Sequence, residues 1–383
     1  MFQKKIFWAK HLKILSHLFK NIFLANLPYH INLFILAGFF IVQFVFAFIF
    51  GEILLKFATN LGVRNHGDGV VRWTSTTKPS LGGLLFFFAF LLSTVFYLIM
   101  LSENATFNNV EFLGMVISCT LGFIMGLADD AYNTKPLLKF SIQIICGLVA
   151  ILCGNSIQIF ESDILNYTLT VFWFVGLMNS LNMLDNMDGI TSSVTTVACV
   201  SMLVMAYITN HLFVYDSILI VGVAASLLAF LRYNWNPSRM YMGDSGSQFI
   251  GAFMAYASIQ SLWNADTQVT SVWGVLFMIL FPVSFFIITI SDTTTVSINR
   301  LLKRRSPFVG GKDHTTHHLV YAGLKQKTVA VLYILISIVS SIVGFVFYYL
   351  KWYNNVVVVL PFALFLFLIF LSLFWVTKKY KNE

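Results

Sequence analysis

The chain has 383 residues, of which 58% are hydrophobic and only 10% charged, with a net charge of +8 and a mean hydropathy of +0.81. A soluble globular domain carries about a quarter charged residues. This composition excludes a soluble enzyme, a disordered chain, a collagen-like chain and a disulfide scaffold, and predicts an all-α, polytopic membrane protein.

Residues 1–30 hold Lys4, Lys5, Lys10, Lys13 and Lys20. Between Ile6 and Leu24 apolar residues recur at helical spacing with lysines between them, which predicts an amphipathic helix on the membrane surface. A further span or half-span is the alternative. A bilayer core of about 30 Å needs roughly 20 apolar residues per helix. Eleven segments qualify as candidate spans: 32–55, 81–101, 111–128, 140–154, 167–184, 190–209, 215–231, 248–264, 269–291, 328–350 and 355–377. They are read as one domain over 31–377, followed by a basic tail at 378–383. Cys119, Cys146, Cys153 and Cys199 fall in apolar runs and read as small core residues.

The loops are one-sided in charge. Those at 56–80, 129–139, 232–247 and 297–327, with the C-terminal tail, hold 18 of the 24 Lys and Arg; the opposite loops hold only Lys351. The positive-inside rule puts the first set in the cytoplasm. Net charge is thus mainly a topology signal, and no nucleic-acid partner is implied. The expected location is the plasma (inner) membrane.

Eight aspartates share that side: Asp68, Asp129, Asp130, Asp185, Asp188, Asp244, Asp292 and Asp313. Acids beside hydrocarbon are costly and tend to mark sites. The acids of the other side, Glu111 and Asp216 among them, are unclustered and read as solvated. Asp129 and Asp130 end the third span; adjacent carboxylates repel unless a cation or proton relieves them, and Mg²⁺ is one such cation. Lys139 nearby is free to neutralise a phosphate or an Asp. Asn179, Asn182, Asp185 and Asn186 recur every three or four residues, forming a polar stripe that must face a cavity or a partner. Asp188 follows it. After Asn234 comes Gly243-Asp244-Ser245-Gly246-Ser247, where open amides and hydroxyls suit an anion at a helix start. Asp292 is expected to close the ninth span. In a helix His314, His317 and His318 would share one face; zinc is one reading, but the surrounding basic residues fit phosphate better.

Lys78-Pro-Ser-Leu-Gly-Gly83, the Asp129-Asp130 pair, the stripe ending in Asp188-Gly189, Tyr241-Met-Gly-Asp244-Ser-Gly246 and Asp292-Thr with its basic and histidine cluster occur in this order. Together they resemble the bacterial polyprenyl-phosphate N-acetylhexosamine-1-phosphate transferases of glycosyltransferase family 4. The resemblance spans residues 60–325. It implies transfer of a sugar 1-phosphate from a UDP-HexNAc to polyprenyl phosphate, with Mg²⁺ (Mn²⁺ as an alternative ion) as cofactor. Asp129, Asp130, Asp188 and Asp244 would be catalytic, with Asp244 and Asp129 at the metal. Lys78, Lys139, Asn179, Asn182, Asp185, Asn234, Tyr241, Asp292, Arg305, His314, His317 and His318 would bind substrate, with Tyr241 stacking on uracil. The partners implied are the UDP-sugar, the lipid phosphate and the bilayer; a homodimer is compatible with them.

The sequence departs from the family in reading Asp185-Asn186-Met-Asp188 rather than Asp-Gly-x-Asp, and His-x-x-His-His in place of the commoner His-x-His-His or three consecutive histidines. The latter favours the UDP-N-acetylglucosamine branch, which starts a surface polysaccharide such as O-antigen, teichoic acid or common antigen. The muramyl-pentapeptide branch is the alternative. A secondary transporter would carry its acids near the membrane midplane on inverted repeats, and neither pattern is present.

Overall fold

A computed structural model of the chain describes residues 33–61, 78–101, 109–209, 214–265, 271–306, 310–351 and 353–380. The basic segment 1–30 and Asp68 lie outside them. All the elements are helical: α1 Leu33–Leu61, α2 Gly82–Phe96, α3 Val110–Tyr132, α4 Pro136–Leu152, α5 Asp163–Leu184, α6 Ile190–Ile208, α7 Val214–Asn234, α8 Gly243–Ser258, α9 Val272–Phe285, α10 Ile287–Leu302, α11 Thr315–Tyr321, α12 Gln326–Tyr349 and α13 Val356–Lys379. The protein is an all-α, multi-pass membrane protein. Helices α1, α3, α5, α6, α7, α12 and α13, and α2 with the wider helical turn that continues it to Ile99, are each long and apolar enough to cross a bilayer.

Local chemistry sets several helix ends. The Asn109 side chain accepts the Phe112 N–H at the start of α3, and Ser271 and Asn355 do the same for Gly274 and Val357 at α9 and α13. Such caps satisfy donors that the first turn leaves open. Pro136 opens α4, where its missing N–H costs nothing. Asn133 ends α3 in the left-handed conformation.

Three expected spans differ from straight helices of full length. The fourth, α4, has 17 residues. The eighth starts earlier than its apolar run, at Gly243, and continues through a wider helical turn at Ile259–Trp263. The ninth is not one helix: α9 and α10 meet at 92°. Pro282 lacks the N–H that would hold the preceding turn, and the chain leaves helical geometry at Phe286. Asp292 therefore does not close a span. It lies inside α10 and is wholly buried.

Helix α8 is the axis of the bundle. Every side chain from Ser245 to Ser258 is buried. Helix α3 reaches it without a spacer, because a Cβ on Gly126 would lie 2.1 Å from the Asp244 carbonyl oxygen. At the far end from the aspartates, Glu111 is not solvated as expected: Tyr215 and Gln260 both donate to its carboxylate. Cys119, Cys146 and Cys199 are buried, as expected.

Candidate active site

Asp244 is the second residue of α8, and three helices bring polar groups to it. From α4, the Lys139 ammonium lies 2.6 Å from Asp129 Oδ2 and 3.5 Å from Asp244 Oδ2. From α5, Asn182 Nδ2 donates to Asp244 Oδ1 and to Ser247 Oγ, the latter at 2.8 Å. From α3 come Asp129 and Asp130, with different partners. Asp129 accepts from the N–H and hydroxyl of Thr134 as well as from Lys139. Asp130 accepts the backbone N–H of Asp244 and of Ser245, each at 2.9 Å.

The start of α8 is thus not open to an external anion, as its glycine and serine chemistry suggested. The carboxylate of Asp130 fills it, where a helix N-terminus favours negative charge. Gly243 precedes it at φ +76°, a conformation that suits glycine, and an added Cβ would meet Asp130 Oδ2 at 2.9 Å.

The Lys78–Gly83 segment lies alongside this turn. Ser80 pairs with Tyr241 as an isolated parallel bridge, Gly82 N–H donates to the Tyr241 carbonyl, and Gly83 N–H to that of Met242. The Lys78 ammonium sits 5.2 Å from the centre of the Tyr241 ring and donates to Ser238 Oγ at 3.0 Å. Ser238 in turn donates its hydroxyl and its N–H to Asp188, at 2.7 and 2.9 Å. Asn236 also donates to Asp188. Asn234 ties the same loop inward, accepting from Gly189 N–H and donating to the Met240 carbonyl. Asp188 and Asn234, expected at the substrate, therefore have their polar atoms engaged in shaping the loop that carries Tyr241.

A second cluster forms around Asp292. Its carboxylate meets His314 Nδ1 at 2.8 Å and accepts the Thr315 N–H at 2.8 Å and the Thr315 hydroxyl. Tyr333 closes the group, 2.6 Å from Thr315 Oγ1. The three histidines do not share a helix face, because His314 precedes α11 in extended conformation. The His314 and His317 rings meet edge to face at 5.5 Å. His318 instead bonds the Tyr380 carbonyl at the end of α13. Burial pushes the His317 imidazole down to about 3, reinforced by the neighbouring His314; burial also lowers His318. Arg305 is exposed. It is Arg300 that reaches inward, gripping Asp313 through Nε and Nη2 at 2.8 and 2.6 Å. Burial alone would raise the Asp313 carboxyl, but the bonds and charge of Arg300 hold it below the usual range.

The turn after α5 joins the two clusters. Asn182 reaches Asp244, and Asn186 accepts from the Thr316 hydroxyl at 2.6 Å. Asn179 points deeper, bonding Gln143 of α4. Asp185 ends α5 and is half-buried. Sequence reasoning passed over Gln143, Gln248, Thr134, Ser238 and Tyr333, and took Arg300 and Thr315 only as part of the basic and histidine cluster. Gln143 and Gln248 were findable, since each stands four residues after a singled-out charge inside an apolar run.

Among the described residues no group of three or more His, Cys, Asp or Glu side chains could hold a metal, which leaves the zinc reading without a ligand set. Asp129 and Asp244 do fit a divalent cation of another kind. Their carboxylates already share one cation, the Lys139 ammonium. A pair without a third protein ligand suits Mg²⁺, which takes one or two carboxylates and completes its shell from phosphate oxygens and water.

Comparison with known proteins finds similarity to one family of transferases. The glycosyl transferase family 4 model matches residues 112–262. A probable undecaprenyl-phosphate N-acetylglucosaminyl 1-phosphate transferase of Bacillus subtilis (strain 168) is 26% identical over 273 residues, 69% of this chain and 72% of the relative. A phospho-N-acetylmuramoyl-pentapeptide-transferase of Aliarcobacter butzleri is 24% identical over 303 residues, 70% of this chain and 79% of the relative. One of that name from Chlamydia trachomatis serovar L2 is 30% identical over 187 residues, 48% and 51% of the two chains. The span similar to glycosyl transferase family 4 contains Asp129, Asp130, Lys139, Asn182 and Asp244.

Proposed function

We propose that the protein transfers N-acetylglucosamine 1-phosphate, or a closely related HexNAc 1-phosphate, from a UDP-sugar to polyprenyl phosphate. An acceptor phosphate oxygen forms a bond to the sugar-bearing phosphorus of the donor. The bond from that phosphorus to the bridging oxygen breaks, and UMP leaves. The observation that carries this reading is the Asp129–Lys139–Asp244 group, where two carboxylates share one cation beside the end of the bilayer-length helix α3. An acceptor that is a phosphate at one end and hydrocarbon at the other requires a site at such a boundary. The names of the relatives support the same class of reaction.

The acceptor phosphate is itself the nucleophile, so the protein has to offset negative charge. Lys139 does so directly. Asp129 and Asp244 would hold Mg²⁺, which would supply positive charge to the donor diphosphate. Asn182 fixes the orientation of the Asp244 carboxylate, and Asp130 fixes the turn on which Asp244 stands. The Asp292–His314 pair and the Arg300–Asp313 pair build a second polar wall, suited to donor phosphate and sugar. The distribution of Lys and Arg supports a cytoplasmic site in the plasma membrane. The relative named for N-acetylglucosamine, together with the His-x-x-His-His pattern, supports that sugar over the muramyl pentapeptide.

The test is an assay of membranes containing the protein, with radiolabelled UDP-N-acetylglucosamine, polyprenyl phosphate and Mg²⁺. A lipid-linked sugar diphosphate and UMP are expected, both lost on chelation and in Asp244→Asn. A panel including UDP-N-acetylmuramoyl-pentapeptide reads the sugar. No product with any common UDP-HexNAc removes the transferase reading.

A further inference from the structure

Beneath the charged cluster lies a second layer of polar side chains, built from the same three helices. Gln143 is one turn along α4 from Lys139, Gln248 one turn along α8 from Asp244, and Asn179 one turn back along α5 from Asn182. At about 1.5 Å per residue, Gln143 and Gln248 lie about 6 Å deeper than Lys139 and Asp244, and Asn179 about 4.5 Å deeper than Asn182. The three amides bond to one another. Gln143 Nε2 donates to Gln248 Oε1 at 3.1 Å and to Asn179 Oδ1 at 3.3 Å, and Asn179 Nδ2 donates back to Gln143 Oε1 at 2.7 Å. Gln143 and Gln248 are wholly buried.

We propose that Gln143, Asn179 and Gln248 form a positioning layer that fixes the ends of α4, α5 and α8 relative to one another, and so holds the Lys139 ammonium between Asp129 and Asp244. The inference rests on the transferase reading for its rate consequences and on geometry alone for the position of Lys139. Lys139 is a long side chain whose charge must meet two carboxylates on two other helices. Lys139 bonds to α3 and α8, and the Gln143–Asn179 pair adds two bonds from α4 to α5. In a bilayer such bonds cannot be exchanged for water, so a lost partner leaves an amide unpaired rather than hydrated. Gln248 makes an unequal contribution: its oxygen accepts from Gln143, while its Nε2 is buried with no partner among the described residues. Retention of the oxygen is what the layer requires at this position.

Three variants test the proposal in purified full-length protein. Gln143→Leu removes the hub of the layer, Gln248→Met keeps the length and flexibility of the side chain without its oxygen, and Gln248→Glu keeps the oxygen. Misplacement of a catalytic group by a fraction of an ångström to an ångström costs about ten- to a hundredfold in rate. Gln143→Leu and Gln248→Met should therefore lower kcat about tenfold or more and leave KM for both substrates unchanged, while the amide left unpaired lowers the melting midpoint in detergent; the rate is compared at a temperature where all the proteins are folded. Gln248→Glu should keep most of the rate. The double variant Gln143→Leu/Asn179→Leu separates positioning from helix glue, since removing both partners restores packing without restoring the bonds. Its rate should stay low. Recovery of rate in the double variant, or an unchanged kcat in the single ones, overturns the layer. A second readout needs no turnover. Mass-spectrometric detection of Lys139 acetylation by an amine reagent should rise severalfold in Gln143→Leu and Gln248→Met. Unchanged Lys139 labelling overturns the positioning role even if the wild type makes no product, an outcome that would by itself count only against the transferase reading.

Discussion

The Asp130 carboxylate accepts the backbone N–H of Asp244 at 2.9 Å, and its second oxygen takes that of Ser245 at the same distance. Asp129 and Asp130 are neighbours in sequence, yet one faces the Lys139 ammonium and the other caps α8. Substitution should separate them. Asp129→Asn should remove turnover while leaving the thermal midpoint nearly unchanged. Asp130→Ala should remove turnover and also cost about 1 kcal/mol or more of stability through the lost cap. Melting in detergent alongside the transfer assay distinguishes the two.

Gly126 allows α3 to touch the first turn of α8. A Cβ there would stand 2.1 Å from the Asp244 carbonyl oxygen, a backbone atom that cannot rotate away. Gly126→Ala should therefore push α3 off α8, parting Asp129 and Asp130 from Asp244. We expect a loss of about 1–3 kcal/mol from overpacking, and turnover reduced beyond what the unfolded fraction explains. Equal losses of rate and of folded protein would contradict the steric account.

Lys139 is the only described cation within 4 Å of Asp244, and it also pairs with Asp129. Lys139→Met leaves two neighbouring carboxylates without their shared cation. Turnover should fall at least about a hundredfold, the scale seen when one preorganised electrostatic contact is removed. Lys139→Arg keeps the charge but replaces a compact ammonium with a planar fork, and should recover only part of the rate. Steady-state kinetics on the three proteins measures this.

His317 is buried, and its imidazole is pushed down to about 3. An unfolded histidine titrates near 6.5. The folded value lies below the unfolded one, so acid favours the unfolded chain. The contribution of His317 is fully present above about pH 6.5 and is lost as pH falls from there toward 3. Thermal midpoints of the wild type should drop on acidification through this window, and those of His317→Gln should drop less. Equal slopes would mean that His317 does not titrate as its burial requires.

Much of the fold was legible because apolar length is a strong signal. Eight of the eleven expected spans are long apolar helices with ends within several residues of expectation. The failures have local causes. The ninth span read as continuous because its apolar run conceals the break after Pro282, and α10 beyond it is rich in Thr and Ser that composition alone assigns to a loop edge. At the site, charges were visible but pairings were not. The resemblance placed Asp129 rather than Asp130 beside Asp244, but that Asp130 caps α8 follows only from the approach of α3 to α8. Asp188 and Asn234 looked like ligand groups because polar residues at helix ends do; their loop partners Ser238 and Met240 stand at distances that sequence spacing cannot convey. Arg305 and Arg300 likewise could not be told apart, since which of them turns inward depends on where α10 ends.

The complete burial of α8 has a mechanical consequence. Asp244 stands at the head of a helix whose side chains from Ser245 to Ser258 are all buried, so its carboxylate is mounted on a firmly held post. Such a group cannot be drawn toward a ligand by binding. On the proposed reaction it would need no reorganisation at the moment of transfer.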